Sequence, residues 1–174
     1  MPRPQHPPMP VGVAIKPWGK KPRYYAFDHP TENNCSRADA VRALREAYKC
    51  SDGVLMHNSK FDVDVAETHL GLPRLPWHKY HDTMFLLFLD DPHAAELGLK
   101  PASAQLLGLP PAEQDAVIEW LMTHQPVLPI VRLSRAPKGE YYAGAYVAYA
   151  PGLVVAPYAN GDTTRAEGLF KLLW

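Results

Sequence analysis

The 174-residue chain has no excess of either charge, because 18 Lys and Arg balance 18 Asp and Glu. That balance removes any global electrostatic case for a polyanion partner, so such a contact must come from local clustering or bound metal. Cysteine is nearly absent. Cys35 and Cys50 form neither a metal-ligand spacing nor a disulfide framework, and they read as free thiols in a reducing compartment. No apolar run approaches the roughly 18 residues that suggest a membrane helix. The opening MPRPQHPPMP has no apolar h-region and is not read as a signal peptide. Acidic residues are also missing from the first part of the chain, where Asp28 is the earliest carboxylate.

What is present fits one domain with a real core. Hydrophobic residues make up 47% and charged residues 21%, as in a soluble globular protein. Residues 1–10 are dominated by proline and suit neither a helix nor a central strand. VGVAIKP and RYYAFDH, separated by WGKK, predict a hairpin. SRADAVRALREAYKC carries a helical apolar stripe with Ser36 as its cap. GVLMHNS reads as a short buried strand passing into a helix, KFDVDVAETHLG, that Gly71 and Pro73 end. An extended LPRLPWHKYHDT follows, then helices in MFLLFLDD, ELGLKPASAQLLG and PAEQDAVIEWLMTHQ. Residues 126–140 read as a basic linker, and the last segment as helix in two pieces broken by APGLVVAPYANGD. Strands followed by helices predict an α/β domain with a helical second half.

Two short stretches carry chemistry. In HNSKFD, Asn58 and Asp62 are four apart at a strand-to-helix junction. A carboxylate in a first helical turn suits the helix dipole. It also points into the crevice where open α/β sheets bind ligands, and Asn58 offers an amide beside it. In PYANGD, Asp162 before two threonines reads as a helix N-terminus. The same four-residue gap also puts the Tyr158 phenol and the Asp162 carboxylate on one face of a turn. Asp82 in HDT is expected to cap a helix rather than bind metal, and Phe61 to join the core. His57, His78 and His81 form no zinc motif, and no serine stands in a nucleophile elbow.

In this order, Asn58-x-x-Phe61-Asp62 and Tyr158-x-x-x-Asp162 resemble the second and third motifs of the DEDDy class of 3′–5′ exonucleases. That class includes the proofreading domains of family A DNA polymerases. HDTMFLLFLDDPHAAELGLKPASAQLLG is similar to the stretch between those motifs, and RAPKGEYYAGAYVAYAPG with YANGD to a phage-type variant. The resemblance covers residues 11–174. It implies a ribonuclease-H-like fold, with a mixed sheet flanked by helices, and hydrolysis of terminal phosphodiester bonds at the 3′ end of single-stranded DNA. It implies Mg²⁺ or Mn²⁺ held by Asp62 and Asp162, Tyr158 orienting the attacking water, and Asn58 touching substrate. A cytoplasmic location follows, in the host if the chain is phage-encoded. Arg135 and Lys138, with Arg132, are read as phosphate contacts or as solvated linker charge.

The family's first motif, Asp-x-Glu, has no counterpart, since MPRPQHPP holds no carboxylate. Two of four expected metal-binding carboxylates are then missing, so at most one weakly held ion is expected. The strand that bears that motif lies between the second and fourth strands of the family's sheet, so the sheet is expected to lack its first central strand. Three readings stay open. One is an exonuclease-like domain with impaired catalysis, or an inactive module binding nucleic acid or a replication partner. Another is a composite enzyme in which a partner or a second copy donates a strand. The third is a structural α/β protein unrelated to nucleic acid.

Overall fold

The computed structural model describes residues 7–50, 52–110, 112–124 and 146–174. Strands β1 (Gly12–Ile15) and β2 (Arg23–Ala26) form the expected hairpin. They pair antiparallel, with Gly12 opposite Ala26 and Ile15 opposite Arg23. Gly19, at φ 67°, turns the chain between them, a conformation that glycine adopts without strain.

Helix α1 spans Arg37–Cys50. Its start is a reciprocal cap, in which the Ser36 hydroxyl accepts from the Asp39 N–H at 3.1 Å and donates to the Asp39 carboxylate at 2.6 Å. Strand β3 (Val54–Met56) leads through His57 and Asn58 into α2 (Ser59–Leu70), which ends on Gly71 in the left-handed region. After a 3₁₀ turn at Trp77–Lys79, β4 (Tyr80–Asp82) pairs parallel with β3. Helices α3 (Thr83–Asp90), α4 (Leu99–Leu107) and α5 (Ala112–Thr123) follow. A 3₁₀ turn at Tyr146–Tyr149 then precedes the long α6 (Gly152–Leu173).

The α/β mixture is as expected, but the strands form two separate two-stranded sheets rather than one mixed sheet. Side chains alternate across them as a period of two requires. Val13 and Tyr25 pack with Val54 and Met56 against Ala40 and Tyr48 of α1 and Ala66 and Leu70 of α2. Ala14, Tyr24 and Ala26 face the other way, onto Val155, Tyr158 and Ala159 of α6. Both sheets therefore sit between the same two helical layers.

Helix α6 corrects the sequence reading. Residues 152–173 are one continuous helix, Pro157 included, with no break at ANGD. Gly161 is a packing residue and not a turn residue, because a Cβ there would stand 2.7 Å from the Glu113 carboxylate of α5. Phe61 also departs from expectation, being 43% exposed on α2 rather than in the core. The basic stretch 126–140 lies outside the described residues.

Candidate active site

The carboxyl ends of parallel β3 and β4 and the middle of α6 meet at a cluster of ionisable side chains. Asp82 organises its floor. Its carboxylate caps α3 by accepting from the Met84 N–H at 3.0 Å. It also accepts from the Asn58 N–H at 2.9 Å, the Ser59 N–H at 2.8 Å and the Ser59 hydroxyl at 2.9 Å. One side chain thus satisfies orphan amides of two helices and ties the two strand ends together. Burial opposes its charge, but the hydrogen bonds from Ser59, Asn58 and Met84 outweigh it and hold Asp82 below the usual carboxylate range. The expected capping role is what the geometry gives.

Above this floor, Asn58 stands exposed at φ 62°, ψ 55°. Asparagine is one of the few residues that visit the left-handed region readily, and the turn brings α2 back over the strand ends. Asp62 falls in the first turn of α2. Its side chain keeps an open face to solvent, yet the surrounding protein crowds it on every other side. That crowding first, then the charges of Asp82 and Asp162, push its pKa up to about 7. Water on the open face screens part of the effect, so the upward direction is the firm result.

Asp162 comes from α6, one turn after Tyr158. The Lys100 ammonium of α4 donates to Asp162 Oδ1 at 2.6 Å and lies 4.1 Å from the centre of the Tyr158 ring. Burial raises the Asp162 pKa, with Lys100 pulling the other way. The aromatic face and the carboxylate together hold one cation. His57 closes the group. Its Nδ1 lies 2.9 Å from the Thr83 hydroxyl, and burial lowers its pKa against the opposing pull of Asp82.

The structure therefore brings Asp62 within electrostatic reach of Asp162, links Asp162 to Tyr158 through Lys100, and sets Asn58 beside them. Arg135 and Lys138 lie outside the described residues. Sequence reasoning passed over Lys100 as a site residue. Its only signal was the Leu-Lys pair opening α4, and 62 positions separate it from the carboxylate it meets.

The donor set suits one divalent cation better than two. Asp82 is already spent on four donors, and Asp162 shares its charge with Lys100. Among the described residues, no three His, Cys, Asp or Glu side chains converge as a ready metal site. No protein-family model matches the chain, and no curated protein matches it.

Proposed function

We propose that this chain is a 3′–5′ exonuclease-like domain of ribonuclease-H-like architecture, whose cleft takes the 3′ end of single-stranded DNA and whose own residues support only impaired hydrolysis. The observation that carries this reading is the convergence of Asp62 and Asp162, picked out by two short motifs far apart in sequence. They meet beyond the carboxyl ends of two parallel strands, with Tyr158 one turn before Asp162. Further support comes from the sheets. An antiparallel pair beside a parallel pair is what such a sheet leaves when its central strand is taken out.

In this reading Asp62 and Asp162 would hold one Mg²⁺ or Mn²⁺, both of which prefer oxygen ligands. A divalent ion supplies Lewis acidity and lowers the pKa of attacking water. The chain's residues do the rest. The Tyr158 hydroxyl orients a water, and the Asn58 amide meets the terminal nucleotide. Lys100 keeps Asp162 neutralised until a phosphate or a metal ion takes over that task. Arg135 and Lys138 are proposed to contact phosphates further along the strand.

A second reading is favoured by Lys100. A site whose carboxylate already has an internal counter-ion fits a catalytically inactive module that binds nucleic acid or a replication partner. Digestion of 5′-labelled single-stranded DNA separates the two. With Mn²⁺, the first reading expects a slow ladder that EDTA and Asp62→Asn both abolish. DNA that is bound but uncut by folded protein supports the second reading, and neither binding nor cleavage overturns both.

A further inference from the structure

The strands leave a gap whose two walls are defined. Strand β1 pairs only with β2, and β3 only with β4. Among the described residues nothing pairs with the outer edge of either. Yet α6 packs against β1, β2 and β3 alike, and Val13 of β1 shares a cluster with Val54 and Met56 of β3 beneath α1 and α2. The two sheets are halves of one layer, held apart.

Hydrogen bonding identifies the groups on the β1 wall. The Phe27 N–H donates to the Val11 carbonyl at 3.0 Å. With the register of this hairpin, Val13–Tyr25 and Ile15–Arg23 are then the pairs that exchange hydrogen bonds. Gly12 and Ala14 turn their N–H and C=O groups the other way, into the gap. Unpaired strand edges of this kind are templates for another strand.

The sense of the walls follows from α6. Its start lies near the Gly12 end of β1, where the Gly152 N–H donates to the Thr31 carbonyl and a Cβ at Gly152 would touch Ala26. Its later part reaches Lys16, just past β1, through Glu167. β3 runs the opposite way along α6. His81, opposite Leu55, touches Phe170 and Trp174, whereas His57, beyond the end of β3, feels the charge of Asp162. β1 and β3 are therefore antiparallel to each other, and a strand between them pairs parallel with one and antiparallel with the other.

We infer that this gap is the docking site for an extended, continuously apolar polypeptide segment from outside these 174 residues. A strand there has helices on both faces. One set of its side chains meets Val13, Val54 and Met56, and the alternate set meets Ala14 and the Val155–Ala159 face of α6. Both sets must be apolar, as in the strands of sheets covered on two sides. A proline would remove a bond that Gly12 or Ala14 requires. A second copy is a poor occupant, because the described apolar runs of this chain are already committed to its own strands and helices. The gap stands independently of the nuclease reading.

The test is amide hydrogen exchange of the full chain, alone and with a synthetic heptapeptide of valine and isoleucine carrying a lysine at each end. Its counterpart with a central proline is the control. Gly12 and Ala14 amides should exchange freely alone, while Val13 and Ile15 are protected. The first peptide should slow Gly12 and Ala14 about 10-fold or more at one peptide per chain, and the proline peptide should not. Protection of Gly12 and Ala14 in the isolated monomer would overturn the inference. So would indifference to both peptides, or protection that rises only with chain concentration, which would make a second copy the occupant.

Discussion

Asp62 retains its proton to about pH 7 because the cleft wall crowds it and Asp82 and Asp162 repel its charge. Its folded pKa is raised above the unfolded value of about 4. The folded state therefore binds more protons between those two values, and Asp62 costs stability as pH rises through that window. Asp62→Asn removes the cost. We expect the variant to melt a few degrees higher than wild type at pH 8 and at the same temperature at pH 4, as read by differential scanning calorimetry. Equal melting at both pH values would mean the carboxylate is solvated as in water. The motif residues were legible in the sequence because a four-residue gap is a local fact that a helix turns into a shared face. His57 and Lys100 were not, because their proximity to Asp162 depends on how α4 and β3 dock against α6, which no local spacing encodes.

At the scale of elements, α6 shows where composition misleads. Asparagine, glycine and aspartate in succession have turn chemistry, and each resists helix when isolated. Here they lie inside a helix whose packing decides the outcome, because Gly161 admits Glu113 and Gly168 admits Leu107 at 2.7 Å each. Tertiary contact outweighed local propensity. The hairpin, α1 with its Ser36 cap, and α2 with its Gly71 stop were readable because each carries its own signal of period, cap or terminator.

Further along α6, Glu167 is 6% exposed. It accepts from Lys16, from the Gly19 N–H at 3.2 Å and from Lys171, so it anchors the hairpin turn to the helix. Glu167→Ala would strand Lys16, whose side chain is only 10% exposed. We expect a loss of about 3 kcal/mol in urea unfolding. A loss under about 0.5 kcal/mol would mean that Lys16 reaches solvent unaided.

For the whole molecule, neutral overall charge means that binding of DNA must be governed by the cleft and by whatever ion it holds, not by the general field of the protein. The α/β class was visible from the order of elements. The splitting of the sheet was legible only as a missing motif, because strand pairing is a non-local property that the sequence of each strand leaves open. No helix among the described residues is long and apolar enough to cross a membrane.

The measurement that tests the proposed site most directly is Mn²⁺ titration followed by electron paramagnetic resonance, in which bound ions lose the sharp signal of free Mn²⁺. Asp62 and Asp162 sharing one ion predict a single weak site per chain. Its affinity should rise between pH 6 and pH 8 as Asp62 loses its proton at about 7, and either Asp62→Asn or Asp162→Asn should remove it. No binding at pH 8, or binding that survives both substitutions, would contradict a divalent site between these carboxylates.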